Sequence, residues 1–391
     1  MASVRRRTLA DGSFRYDVTY RDPDGRQRMK TYRLKRSAVA FGNSMETDKQ
    51  RGQWIDPDAG KVTFEDYARD WMEMQTFDPS TRLAVEQRLE VHVFPVLGGK
   101  QLRNVKPSTM QAWLRGVEDL APRTRVLILG HVSAIFSAAV DDLLVARNPC
   151  SAGSVRRPKI PARKVVPWDH ATVLAVREAL PERYQVLAML GAGLGLRQGE
   201  AFGLSPDDVD WLRGTVQVRR QVKLVGPHQV FGPPKYGRER EVPLPESVKA
   251  YLAAYLAKWP ARAITLPWRD HESGKPTTAV LMATTRERTV INRSYFNSQV
   301  WKPGLRKAGV PVTRANGTHA LRHFYASALL DGGENIRALS EYLGHADPGF
   351  TLRTYTHLMP SSAERTRKAI DAVFAPSEAG DDLTHIQQVG D

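Results

Sequence analysis

The sequence predicts a mainly α protein with small β elements, an α+β chain built in several parts. Three observations carry this. Apolar residues recur at helical spacing through most of the chain. Strict alternation of apolar and polar residues appears near residue 14, and a second β-like stretch lies near residue 215. A proline-punctuated basic segment separates the two halves, and 391 residues are too many for one ordinary core.

Residues 1–58 read as a small three-stranded sheet plus a helix. In SFRYDVTYRD, Phe14, Tyr16, Val18 and Tyr20 alternate with Arg15, Asp17, Thr19 and Arg21, which is the pattern of a half-buried strand. DPDG at 22–25 is a turn: Pro23 presets φ and Gly25 permits a positive φ. RQRMKTYRL returns as the partner strand. A helix follows over SAVAFGNSMETDKQRG, with Ser37 as N-cap and Gly52 as stop. Eleven Lys and Arg stand against four Asp between Arg5 and Arg36, so the unit is either a nucleic-acid reader or a solvated charged face.

Residues 62–152 read as a helical bundle. Thr63 caps TFEDYARDWMEM, where Phe64, Tyr67 and Trp71 fall on one stripe. PSTRLAVEQRLEVHVFPVL and KPSTMQAWLRGV are the next helices. A long one over APRTRVLILGHVSAIFSAAVDDLLVARNP carries Val126, Leu129, Val132, Phe136 and Val140 on one side. Residues 153–167, with RRPKIPARKVVP, form an extended basic linker. Residues 168–375 make a larger, mostly helical domain with a β interruption: TVQVRRQVKLV, a turn at GPHQ, then VFGPPKYGRER and EVPL. Residues 376–391 are a polar, acidic tail.

The formal net charge of +15 favours a polyanionic partner, nucleic acid before an anionic membrane surface. A single cysteine, Cys150, excludes an intramolecular disulfide and fits a reducing cytosol. MASVRRRTLADG has no apolar stretch behind its basic residues, so a secretory signal is not expected. Nor is a membrane span, since no apolar run approaches about 20 residues.

Four short segments hold residues suited to chemistry. GAGLGLRQGEAFGL is glycine-rich but lacks the GK[ST] of a phosphate loop. Arg197 within it opens a helix and can fork onto an anionic oxygen pair, or pair structurally with Glu200 three residues on. In GTHALRHFYASALL, Thr318 is a cap candidate, His319 and Arg322 share a helix face, and His323 is adjacent. The spacing is not HExxH. The two could bind a phosphate together, with His319 able to move a proton, or be ordinary helix residues. Lys235, at the tip PPKYGRER, is an edge charge or a point-charge acid. In LGH and TLRTYTHLMP, Tyr355 stands ten residues after His345 and between Arg353 and His357, as an amphipathic aromatic or a nucleophile. No cluster of Asp and Glu suggests a two-metal site, and neither metal nor cofactor is expected.

Taken together and in order, Arg197, Lys235, His319, Arg322, His345 and Tyr355, in LGLRQGE, PPKYGRER, HALRH, LGH and TYTH, resemble the tyrosine recombinases, the phage-integrase family. The resemblance spans about residues 165–375, and no position of the set is missing. It departs at Tyr236, which follows the lysine where many relatives carry a small polar residue. Residues 62–152 look like the family's core-binding domain and residues 1–58 like the arm-binding domain of mobile-element integrases. The resemblance implies a site-specific recombinase that cuts and rejoins DNA through a 3′-phosphotyrosyl link, integrating or excising an element such as a prophage. In it Tyr355 attacks, Arg197 and Arg322 hold the phosphate oxygens, and His319 helps accept the tyrosine proton. Lys235 protonates the leaving 5′-oxygen and His345 adds a hydrogen bond.

Implied partners are double-stranded DNA at core and arm sites and a homotetramer on DNA, in the cytoplasm and nucleoid of a bacterial host. A directionality factor and a host DNA-bending protein are candidate accessories. Arg5, Arg6, Arg7, Arg15, Arg28 and Lys30 are the DNA-binding candidates of the first unit, and Arg156, Arg157, Lys159, Arg163 and Lys164 those of the linker. The terminal SSAERTRKAIDAVF reads as an amphipathic helix packed on a neighbouring protomer. Rival readings are a type IB topoisomerase, a Xer-like chromosome or plasmid dimer resolvase, and a non-catalytic DNA-binding protein.

Overall fold

The computed structural model describes residues 2–21, 25–50, 59–161, 165–345 and 347–355, with Arg367, Ile370, Asp371 and Phe374. The turn at 22–24, the stop at Gly52, Arg163, Lys164, His357 and most of the terminal amphipathic segment lie outside the described residues. The chain divides into two compact units, Met1–Ala162 and Arg163–Asp391.

The first unit opens with three antiparallel strands in the order β1 (Ser3–Thr8), β2 (Phe14–Arg21) and β3 (Gln27–Tyr32). A helix, α1 (Lys35–Gln50), covers one face. Alternation along β2 drives this: Val18 and Tyr20 are buried, and the Tyr20 and Tyr32 rings lie 5.6 and 5.4 Å from Phe41 of α1. Phe14, expected inward, is exposed at the strand end beneath the Arg6 guanidinium, 4.7 Å from its ring centre. Asp17, expected outward, is buried by partners on the other face, Arg7 Nε at 2.9 Å and Thr31 Oγ1 at 2.6 Å. The helix starts before Ser37, because the Ala38 N–H already donates to the Leu34 carbonyl. Ser37 therefore sits in its first turn and is not its cap.

The register sorts the six basic candidates here into two sets. Arg6, Arg28 and Lys30 share the side of Val18 and Tyr20, while Arg5, Arg7 and Arg15 share the side of Asp17, away from α1. In the other segment Arg156, Arg157 and Lys159 are exposed.

Four longer helices follow: α2 (Phe64–Glu73), α3 (Pro79–His92), α4 (Pro107–Gly116) and α5 (Pro122–Asp141). Thr63 caps α2 by accepting the Asp66 N–H at 3.2 Å, and Phe64, Tyr67 and Trp71 are buried on one stripe. Phe64 meets Phe136 of α5 at 5.3 Å, and the Trp113 indole donates to the His92 carbonyl at 2.8 Å. α5 stops at Asp141, short of its expected end. Leu143 there takes a positive φ, and the Asn148 amide folds back to donate to the Ser133 carbonyl at 2.8 Å. By length and composition α5 is apolar enough to cross a membrane, a test that core helices also pass. Ile128, Leu129, Val132, Ile135, Phe136 and Ala139 lie buried in the core.

The second unit begins with α6 (His170–Ala179), α7 (Glu182–Leu194) and α8 (Gln198–Phe202). A sheet of β4 (Val209–Asp210), β5 (Thr215–Val218) and β8 (Arg240–Pro243) adjoins them, with a hairpin of β6 (Gln221–Val225) and β7 (His228–Gly232). TVQVRRQVKLV is thus two strands in two sheets. The break falls at Arg219 and Arg220, where Arg220 turns to the buried Asp208 with contacts of 2.6 and 3.0 Å. Lys235 is not at the β6–β7 tip. It lies in the exposed turn Lys235–Gly237 between β7 and β8, where Tyr236 has φ 67°.

Beyond α9 (Glu246–Lys258) an unforeseen hairpin, β9 (Arg262–Pro267) with β10 (Pro276–Leu281), lies across a stretch that the sequence left unassigned. The helices α10 (Arg293–Tyr295), α11 (Lys302–Lys307), α12 (His319–Asp331), α13 (Ile336–Leu343) and α14 (Pro348–Tyr355) follow. α12 packs on α7 through the core. Thr318 precedes α12 but its side chain makes no cap bond. Of the terminal segment, Ile370 and Phe374 are exposed.

Candidate active site

The site is assembled around the C-terminal end of α13. α7 ends at Gly195, whose φ of 64° and closeness to Tyr325, 2.4 Å from where a Cβ would stand, both require glycine. The chain then turns so that Arg197 caps α8. Its backbone N–H donates to Glu200 Oε2 at 2.9 Å, and its Nη1 to Oε1 at 2.8 Å. The two readings of Arg197 are thus not exclusive: it pairs with Glu200 and still reaches onward.

Arg197 Nη2 donates to the Gly344 carbonyl at 3.0 Å. Arg322, on α12 and 3% exposed, donates through Nη1 to the Gly195 carbonyl at 2.7 Å and through Nη2 to the Leu343 carbonyl. Arg240, the first residue of β8, donates through Nε to the Tyr342 carbonyl at 2.7 Å. Three successive carbonyls at the end of α13 therefore each take a different guanidinium. A helix C-terminus carries unpaired carbonyls and partial negative charge, which is why cations gather there.

Glu200 is buried and also accepts Arg240 Nη1 at 3.0 Å and Nη2 at 2.7 Å. Burial alone would raise its pKa. The Arg240 bonds and the charges of Arg240 and Arg197 outweigh that and hold it at about 2. Burial, helped by the charge of Arg197, brings Arg322 down to about 9.

Gly344, at φ 58°, ends α13 and delivers His345. The His345 ring is fixed by Nδ1 against the hydroxyl of the buried Thr351 at 2.6 Å. Burial and the fields of Arg322 and Arg197 push its pKa down to about 3. Tyr355, the last residue of α14, is 2% exposed, and its hydroxyl lies 2.7 Å from His323 Nδ1. Burial pushes the phenol up to about 12, against the pull of Arg322 and Arg197. Burial and then Arg322 hold His323 at about 4, so its ring is neutral near pH 7 and can accept the phenol proton as a hydrogen bond. His319 stands exposed at the start of α12. Desolvation and then the charge of Arg322 depress its pKa to about 4.

Arg197, Arg322, His345 and Tyr355 are thus brought together, with His319 at the edge of the same field. Lys235 stands apart on its turn, its ammonium 5.1 Å from the Tyr236 ring centre. Sequence reasoning expected His319 to serve the tyrosine proton, whereas the hydrogen bond is made by His323. Arg240 and Thr351 were also missed. His323, four residues after His319 on the same helix, was the one with a visible signal. Among the described residues no three His, Cys, Asp or Glu side chains gather as a metal site.

The family models match at both levels of this architecture. The phage integrase family matches residues 170–361 and the phage integrase central domain residues 64–154. The chain belongs to the phage integrase family. This integrase is 25% identical over 387 residues to a XerC-like tyrosine recombinase of Caldanaerobacter subterraneus subsp. tengcongensis, covering 92% of this chain and 96% of the relative. It is 25% identical over 354 residues to the integrase of Mycobacterium phage L5, with 87% and 90% covered. A solved Tn1549 transposon integrase in complex with a circular intermediate DNA shares the fold at TM-score 0.66 and 19% identity, covering 79% of this chain and 99% of that one. A lambda integrase tetramer bound to a Holliday junction shares it at TM-score 0.54 and 15% identity, with 88% and 96% covered.

Proposed function

We propose that this integrase, a tyrosine site-specific recombinase, cuts and rejoins double-stranded DNA with Tyr355 as nucleophile, integrating or excising a mobile element such as a prophage. The observation that carries the reading is the meeting of Arg197, Arg322 and His345 at the end of α13 with Tyr355 on the next helix. A phosphodiester is anionic and repels a nucleophile. Two guanidiniums meeting at the end of one helix offset the charge that builds on the non-bridging oxygens, and loss of one such donor commonly costs about 10²–10³ in rate. Both arginines meet backbone carbonyls through Nη nitrogens, and a phosphate would compete for those donors.

In the attack the Tyr355 oxygen bonds to phosphorus and the bond to the 5′-oxygen breaks. The phenol proton leaves toward a neutral histidine, His323 or His319. The departing 5′-oxygen takes a proton from Lys235, once its turn closes on the DNA. The product is a 3′-phosphotyrosine and a free 5′-hydroxyl. A 5′-hydroxyl from a second strand reverses the step, so the phosphodiester energy is conserved and no nucleotide cofactor is consumed. With its hydroxyl buried against His323, Tyr355 must first turn outward on α14. The phenol is thereby kept neutral and shielded in the described state.

In this reading residues 1–58 hold arm-type DNA through Arg5, Arg7 and Arg15, residues 62–152 hold core-type DNA, residues 153–167 link them to residues 168–375, and four copies act together in the bacterial cytoplasm. A Xer-like dimer resolvase is the second reading, favoured by the full-length similarity to the XerC-like relative. The N-terminal sheet with its basic open face favours the mobile element.

The test is a covalent trap. The protein is mixed with duplex DNA from both flanks of its own gene, nicked to prevent rejoining, without magnesium or ATP. A denaturant-resistant adduct at one position, absent in Tyr355→Phe, is expected. Binding without any adduct would leave a DNA-binding protein in place of a recombinase.

A further inference from the structure

We propose that Arg240 is a positioning residue of this site, holding Arg197 and the Gly344–His345 turn in place through Glu200 and the Tyr342 carbonyl. The proposal rests on the reading of Arg197 as a phosphate ligand. All three nitrogens of Arg240 are engaged with protein: Nε on Tyr342, Nη1 and Nη2 on the two oxygens of Glu200. With its whole guanidinium so engaged, Arg240 is held by protein partners and acts on a phosphate only through its neighbours. Arg197 and Arg322, by contrast, engage only Nη nitrogens among the described residues.

Two contacts tie Arg240 to the phosphate ligands. First, it shares Glu200 with Arg197: Arg240 Nη1 and Arg197 Nη1 both approach Oε1, at 3.0 and 2.8 Å. Arg240 thus takes up part of the carboxylate charge. Without it that charge falls on Arg197 alone, and the guanidinium is drawn toward Glu200 and away from an incoming phosphate. Second, Arg240 takes the carbonyl next to those held by Arg322 and Arg197, so it fixes the turn that delivers His345. Gly344 lets this happen: a Cβ there would stand 3.0 Å from Arg240 Cδ, and its φ of 58° also favours glycine. Arg240 opens β8, five residues after Lys235, so the same side chain joins the strand behind the lysine turn to the arginine cluster. A lysine cannot reproduce this, because one ammonium cannot make a fork onto a carboxylate and reach a carbonyl as well.

The test uses the full chain and a nicked duplex carrying the cleavage position mapped with the wild-type protein. Adduct formation is followed in single turnover, on the natural phosphodiester and on a methylphosphonate at the same position. That linkage has lost the charge that Arg197 offsets. Arg240→Lys should form adduct about 10²-fold more slowly on the phosphodiester, the loss typical of a group misplaced by about 1 Å. DNA affinity should stay within about twofold of wild type, since Arg240 touches no DNA. On the methylphosphonate the deficit should shrink to less than about tenfold, because a misplaced Arg197 matters less there. Adding Arg197→Ala to Arg240→Lys should cost clearly less than the two separate losses combined, since residues acting through one another are non-additive.

If thermal melting finds Arg240→Lys unfolded, the double variant E200Q/R240M takes its place. It removes both buried charges at once, and the same contrast between linkages is expected. A wild-type rate in the variant, an equal deficit on both linkages, or additivity with Arg197→Ala would overturn the proposal. Absence of a Tyr355-dependent adduct in the wild-type protein would overturn the recombinase reading and, with it, this one.

Discussion

Replacing Glu200 by glutamine tests the hub of the site with almost no change of shape. The carboxylate accepts four N–H groups: the Arg197 backbone, Arg197 Nη1, and Arg240 Nη1 and Nη2, at 2.7–3.0 Å. Glutamine keeps one acceptor oxygen and turns an NH₂ toward a guanidinium, donor against donor. It also leaves Arg197, Arg240 and Arg322 together without an anion. The fall of the carboxyl from its ordinary 4.5 to about 2 is worth about 3 kcal/mol by linkage. Breaking a buried ion pair from one side costs about 3–5 kcal/mol, in agreement. For a domain of this size that lowers Tm by about 6–12 °C. The sign of the pH dependence follows from the same shift. The folded pKa lies below the unfolded one, so the stabilisation is fully present above about 4.5 and is lost as pH falls through about 2. Thermal melts of wild type and Glu200→Gln, taken near neutral pH and again toward pH 3, read both effects. A Tm within about 2 °C of wild type at neutral pH would refute the reasoning, as would a gap that widens in acid.

Three further outcomes are expected. His323→Phe leaves the buried Tyr355 hydroxyl without its partner and should cost about 1–3 kcal/mol in denaturant unfolding; an unchanged midpoint would count against the bond as a stabilising one. His323 and His345 are held at about 4 and about 3 against an ordinary 6.5, so the unfolded chain takes up protons first. Stability should therefore be full above about pH 6.5 and fall as pH drops through about 4, and calorimetry showing a higher Tm at pH 5 than at pH 7.5 would contradict it. Replacing Arg5, Arg7 and Arg15 together should weaken arm-type DNA binding and flatten log K against log salt by about 0.9 for each lost phosphate contact. An unchanged slope would move DNA to the other set, Arg6, Arg28 and Lys30.

Local features were legible in the sequence because their causes are local. Thr63 caps three residues ahead of its donor, the Asp66 N–H, and Phe64, Tyr67 and Trp71 repeat within two turns. Arg197 at the start of a helix and its Glu200 partner needed only a spacing of three. What sequence reading missed was set by distant residues. Arg240 finds Glu200 forty positions away, and His323 finds Tyr355 thirty-two positions away. Neither pairing leaves a periodic trace. The strand break at Arg219–Arg220 depends on the buried Asp208, and α5 ends where Asn148 folds back, so both boundaries were misjudged from propensity alone. The open face of the N-terminal sheet needed the strand register, because alternation gives two faces without saying which one a helix covers.

The central claim is that Tyr355 is the residue that becomes joined to DNA. Trapped adduct, digested with protease and nuclease and mapped by mass spectrometry, should yield a peptide containing Tyr355 with the nucleotide attached through a 3′-phosphate. A nucleotide on any other residue, or attachment through a 5′-phosphate, would contradict it.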